Sequence, residues 1–254
     1  MVMPHKGIAP VLGRLSPAVF GNFPVKSCLA KQGGYGFIFS LDDQHGTENN
    51  VPAENLRVGE GTLTAVVNSG MVITAAGSAN DAATMAGPLK VDTSKRWAIE
   101  GSFNIDTIAD NDNALFLGLS VNRDGDFLAD GGDGAAAISA STIGAYVQRD
   151  KAGTETDSDS GVITAAEVLL ATRGSSGSAR IKKSGTAVAA TAATKVGLHH
   201  SGDGKVKLFL NDSLVLKEEL PGTADCYPVI GVKAEGSGAP ALTIGPLFAF
   251  VLVD

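Results

Sequence analysis

The side chains able to do chemistry in this chain fall into a few short clusters, most of them acidic. The stretch "NRDGDFLADGGDG" (122–134) carries Asp124, Asp126, Asp130 and Asp133, and "ETDSDSG" (155–161) carries Glu155, Asp157 and Asp159 at alternate positions. Oxygen donors crowded on a loop suit a hard cation such as calcium. Neither stretch keeps the D-x-D-x-D-G order with its closing Glu: in the second, Ser160 stands at the Gly position and Glu167 falls one residue late. Solvated acidic turns are therefore expected at both, with no metal and no cofactor. His199 and His200 are adjacent, so in an extended chain they face opposite sides and cannot hold one ion together. His5 and His45 stand alone in irregular sequence. No G-x-S-x-G elbow occurs, and neither Cys28 nor Cys226 has a neighbouring His to activate it. No catalytic residue is expected.

The composition narrows the partners. The chain has 254 residues, long enough for one large β domain with a substantial core. Two distant cysteines form neither a disulfide framework nor a metal spacing, and free thiols are expected, with a bridge from the N-terminal segment to the body as the alternative. Net charge is −7 and unevenly spread. The first 41 residues hold Lys6, Arg14, Lys26 and Lys31 with no acid, a charge of +4, while the remaining 16 basic residues face 27 acidic ones, a charge of −11. An acidic body argues against nucleic acid as the main partner, and four dilute cations instead suit an arm lying on an acidic neighbour. Pro4, Pro10 and Pro17 interrupt any apolar export segment. "GPLFAFVLV" (245–253) is about half of the ~20 residues a membrane helix needs, so neither export nor a membrane is expected.

The elements that must position these groups are almost all strands. "GYGFIFSL" (34–41) reads as a first strand with Tyr35, Phe37 and Phe39 on one face, after a Pro- and Gly-rich segment that cannot fold alone. "LTAVVNSGMVITAA" reads as two strands around a turn at Asn68 to Gly70. In "RWAIEGSFNID", Trp97, Ile99, Gly101, Phe103 and Ile105 alternate strictly with polar or small residues, which makes Trp97 a core residue. "TAAEVLLAT" (164–172) is the one helix candidate. Division into an extended arm (1–58) and a β-sandwich domain (59–254) follows.

The segment "GDGKVKLFLNDSLVLKEEL" (202–220) reads as a hairpin. Val206, Leu208 and Leu210 point one way and Lys205 and Lys207 the other, Asn211-Asp212 makes a two-residue turn, and Leu214 and Leu216 continue the apolar face. Because Asp tolerates positive φ less well than Gly, a longer loop is the alternative at the tip. Taken with "RWAIEGSFNI" and the closing "LTIGPLFAFVLV", this pattern resembles the concanavalin A-like or laminin G-like jelly roll over residues 60–254. The resemblance implies an all-β antiparallel sandwich preceded by an N-terminal arm.

Polysaccharide-cleaving enzymes on this fold place a Glu, an Asp two residues on and a second Glu soon after on one strand face. Here Glu155 and Asp157 are followed by Asp159 without the second Glu, and Glu100 has no acid two residues away. A non-enzymatic protein is expected. A glycan site would need aromatic platforms, for which Phe127 and Tyr146 are the candidates. Arm charge, jelly roll and a Gly-, Ala-, Ser- and Thr-rich composition without an export segment are similar to tailed-bacteriophage capsid decoration (cement) proteins. That likeness implies a structural protein of the virion surface, made in the host cytoplasm. It would bind major capsid protein and sister subunits, as a dimer or trimer, through Lys6, Arg14, Phe20, Phe23, Lys26, Lys31, Tyr35, Phe37 and Phe39. The alternative is a lectin-like carbohydrate-binding module of a phage fibre or cell surface, with a host glycan as partner.

Overall fold

Alternation of apolar and polar residues commits most of this chain to half-buried strands, and the computed structural model arranges them as two packed antiparallel sheets. The structure describes residues 16–20, 34–40, 57–59, 61–66, 70–87, 90–105, 113–124, 127–128, 138–148, 167–187, 193–234, 239 and 241–253. The strands are β1 (Gly34–Ser40), β2 (Arg57–Gly59), β3 (Gly61–Val66), β4 (Gly70–Ala75), β5 (Ala82–Ala86), β6 (Val91–Asp92), β7 (Arg96–Ile105) and β8 (Asn113–Ser120). They continue with β9 (Thr142–Gln148), β10 (Glu167–Arg173), β11 (Arg180–Ala187), β12 (Thr194–His200), β13 (Lys205–Leu210), β14 (Ser213–Glu219), β15 (Asp225–Ala234) and β16 (Ala241–Val253). Among the described residues one helical turn, α1 (Pro17–Phe20), precedes them.

Sheet A runs β14-β13-β12-β7-β16-β4-β3, with β1 also paired to β16. Sheet B runs β11-β10-β9-β8-β15-β5-β2, with β6 paired to β15. The long last strand serves two neighbours: Ala241–Ile244 pair with β4, and Leu247–Val253 pair with β1. Its register against β7 shifts between Ile244 and Phe248, around Pro246, which has no N–H to give a ladder. The expected all-β sandwich is thus the observed fold, and its first strand is joined to the body through that ladder.

The main core lies between the sheets. Trp97, Ile99 and Phe103 of β7 and Val206, Leu208 and Leu210 of β13 meet Leu115, Leu117, Val168, Leu170 and Ile230 of sheet B. Trp97 is fully buried and its indole N–H donates to the Thr93 carbonyl at 3.1 Å, the core role expected for it. At the hairpin tip, Asn211 and Asp212 sit at φ 47° and 69°, the positive values that a two-residue turn requires, so the shorter loop is the correct one. Asn211 is tied back to β12 by reciprocal bonds with the Lys195 main chain, at 2.9 and 3.1 Å.

Leu214 departs from expectation. The register slips so that Leu208 faces Leu216 while Phe209 faces Leu214, leaving Val215 as the extra residue of a bulge. Val215 and Leu216 then pack on the core, and Leu214 turns outward, 54% exposed. A second correction concerns 164–172: its described part, from Glu167, is β10 and not a helix. Val168 and Leu170 face the main core while Leu169 and Ala171 face a second cluster, so the strand is apolar on both sides and loses its period-two signature.

That second cluster exists because the connection after β8 folds back over the outer face of sheet B. Phe127, Leu128 and Ile138 lie there on Phe116, Tyr146, Leu169, Ala171, Ile181 and Val229. The Phe127 ring stacks on Phe116 with centroids 4.8 Å apart and planes 13° apart. Three side chains of sheet B donate to carbonyls of the connection: Thr84 to Arg123, buried Lys233 to Leu128 and Arg173 to Ile138. The Phe116 ring has room to lie flat because Gly118 and Gly144 face each other across β8 and β9. A Cβ on Gly144 would stand 2.3 Å from that ring, and one on Gly118 would stand 2.2 Å from the Ile143 carbonyl oxygen. Gly144→Ala is expected to cost about 1–3 kcal/mol, the usual range for overpacking, and a denaturant titration checks it.

Candidate functional site

The polar groups that the structure gathers lie on the outer face of sheet A. Strand alternation sends Trp97, Ile99 and Phe103 inward, so Glu100 points outward from the same strand. By register Glu100 stands opposite Gly197 of β12, and Gly197 opposite Phe209 of β13. One step along, Ala98, His199 and Lys207 form the next row. Phe209 belongs to neither core cluster and is buried on this face.

The chain's own residues 16–20 cover the row. The Ser16 amide donates to both carboxylate oxygens of Glu100, each at 3.2 Å. The Val19 carbonyl bonds His199 Nδ1 at 2.8 Å, and Val19 fills the hollow at Gly197, where a Cβ would lie 2.3 Å from its methyl. Val19 and Phe20 are buried. Burying the two side chains contributes roughly 1.5–3 kcal/mol each. Fixing five backbone residues costs roughly 1–2 kcal/mol apiece, which opposes that gain.

Under the segment Glu100 is only 1% exposed, and burial pushes its carboxyl up to about 7. Lys195 opposes that shift, with Nζ 3.6 Å from the carboxylate and 2.9 Å from Asp212 Oδ1 at the hairpin tip. Burial also holds His199 below its ordinary value, against the Val19 carbonyl bond that favours its charged form. His200 faces the other way, as the adjacency required, with Nδ1 2.6 Å from the Lys95 carbonyl and its ring 5.9 Å from that of Trp97. The arrangement offers a carboxyl group poised near neutrality, an imidazole, a lysine and an aromatic ring on one sheet face. Such groups bind polyhydroxylated ligands by hydrogen bonds and ring contact.

The other nominated residues are distributed differently. Phe127 and Tyr146 are buried, at 1% and 0% exposure, so neither is a glycan platform. Partly buried Tyr227 was not singled out, and it already carries Lys90 and Arg123 over its ring, at 5.3 and 5.2 Å. Of the proposed capsid contacts, Phe20 packs in this chain's own segment on sheet A. Tyr35, Phe37 and Phe39 lie on β1, whose backbone alone is described, and Lys6, Arg14, Phe23, Lys26 and Lys31 lie outside the described residues. So do Asp126, Asp130, Asp133, Glu155, Asp157, Asp159, His5, His45 and Cys28, while Asp124 is exposed. Among the described residues no three His, Cys, Asp or Glu side chains converge as a metal site. Cys226 is a free, buried thiol that burial pushes up to about 12. In a Cys28→Ser variant it is expected to ignore a disulfide reagent at pH 8 until the chain unfolds, as absorbance of the released thiolate would show.

Comparison of the sequence with protein families and with curated proteins gives no match. Solved structures do match. The chain superimposes on the Emp47p carbohydrate recognition domain with a TM-score of 0.54 at 10% identity, over 87% of this chain and 96% of that one. Its fold is a lectin-like jelly roll. The legume lectin-like domain from Entamoeba histolytica matches at 0.51 and 12% identity, over 78% of this chain and 90% of that one. A protein of unknown function from Shewanella oneidensis MR-1 matches at 0.56 and 10% identity, over 100% and 95%. The lectin-like structures cover 87% and 78% of the chain, and the sequence signal that could have pointed to the outer face of sheet A, and that residue pattern passed over, is Gly197. A glycine inside an otherwise regular strand marks the close approach of another backbone. Residue spacing, by contrast, gave no sign that Glu100, Lys195 and Asp212 would meet.

Proposed function

We propose that this chain is a non-enzymatic, lectin-like carbohydrate-binding module. The observation that carries this reading is the match of 87% of the chain to a carbohydrate recognition domain and of 78% to a legume lectin-like domain. The outer face of sheet A supports it, because Glu100, His199 and Lys195, beside the ring of Phe209, would offer the hydrogen-bonding groups that sugars use once residues 16–20 leave that face. A glycan array probed with the full chain tests it. Retention of a defined set of glycans is expected, and no retention by the full chain, either as it stands or with residues 16–20 displaced by substitution, overturns the reading.

A second reading, a structural protein on the surface of a virion, is favoured by one observation: a +4 segment of 41 residues leading a −11 body. Its partners would be the major capsid protein and sister subunits. Light scattering on the full chain and on a form beginning near Gly59 separates the two readings. A defined oligomer that becomes monomeric on truncation favours assembly, and two monomers favour the lectin.

A further inference from the structure

The segment Ser16–Phe20 makes three contacts that a bound sugar would also make: a donor to Glu100, an acceptor to His199 and an apolar group on Gly197 beside Phe209. We propose that Ser16–Phe20 is a detachable cover occupying this chain's own carbohydrate site, the face formed by Glu100, His199, Gly197 and Phe209. This rests on the lectin reading above and assigns its site and its regulation.

The geometry fits a cover better than a fixed core element. On sheet B the covering side chains Phe127, Leu128 and Ile138 belong to a core cluster and the carbonyls of Leu128 and Ile138 are held by Lys233 and Arg173, whereas Val19 and Phe20 belong to neither core cluster. On sheet A the contact combines two apolar side chains with bonds to the segment's own main chain, from a carboxylate and an imidazole that remain on the sheet when it leaves. Hydroxyl groups can act as donor to Glu100 and as acceptor from His199, so a sugar replaces both bonds. The apolar face of its ring then takes the place of Val19 over Gly197. Lys195 and Asp212, paired at the edge of the row, offer further hydrogen-bonding partners.

Opening the cover is therefore expected to strengthen sugar binding. Val19→Asp places a charge against Gly197 and lifts the segment, and Val19→Ala/Phe20→Ala does the same by deletion should the first variant fold poorly. Hydrogen exchange at the 16–20 amides confirms the opening, and the far-ultraviolet spectrum confirms the sandwich. Calorimetric titration uses methyl mannoside, methyl galactoside, methyl glucoside and the oligosaccharide best retained on the array. The result expected is at least tenfold tighter binding by the opened chain, with the gain abolished by adding Phe209→Ala. An opened chain that binds no more tightly than wild type overturns the cover while leaving the lectin reading intact. Absence of binding by both wild type and opened variants overturns the lectin reading and the cover with it.

Discussion

Replacing Phe127 by alanine is expected to lower the unfolding free energy by about 3–5 kcal/mol without touching the outer face of sheet A. The ring is 1% exposed and stacks on Phe116 at 4.8 Å, inside the cluster that holds the connection against sheet B. Its removal leaves a cavity that the anchored connection cannot close, because Lys233 and Arg173 hold the carbonyls of Leu128 and Ile138. A denaturant midpoint well below wild type, with unchanged sugar affinity, is the expected pair of results. A near-normal midpoint with weakened binding would instead make Phe127 a surface platform.

Glu100→Gln is expected to raise stability at pH 8 by up to about 3 kcal/mol, or roughly 6–12 °C in melting temperature, and to have little effect near pH 5. The folded carboxyl is raised by burial from an ordinary 4.5 to about 7, so the folded chain holds more protons than the unfolded chain between those values. Stability linked to Glu100 is fully present below about 4.5 and is lost as pH rises through about 7. The neutral amide escapes that loss and still accepts from Ser16. His199 acts with the opposite sign: its folded value is depressed, so its contribution is present above its ordinary 6.5 and is lost as pH falls. Thermal melts of wild type and variant from pH 5 to 8 check this, and parallel profiles would show that Glu100 is solvated.

These effects also mark how far residue pattern carries. The two-residue turn at Asn211-Asp212, the inward Trp97 and the opposed histidines were all legible, because each depends on neighbours within a few positions. Leu214 was misplaced since a single bulge residue, Val215, reverses the alternation that pattern reading assumes. The 167–173 segment was misread since burial on two faces erases periodicity, and only the folding back of Phe127, Leu128 and Ile138 creates the second buried face.

The sequence by itself determined the all-β class, many of the strand positions of the sandwich and the charge contrast between the first 41 residues and the rest. Those properties follow from alternation and composition, which are local. Tertiary structure alone decided that Ser16 would meet Glu100 across 84 positions and that Val19 would meet His199 across 180. It also decided that Phe127 would be core and not a platform. Contacts at such separations depend on which strands become neighbours and on which loops fold over them, and strand order is set by the packing of the whole sandwich.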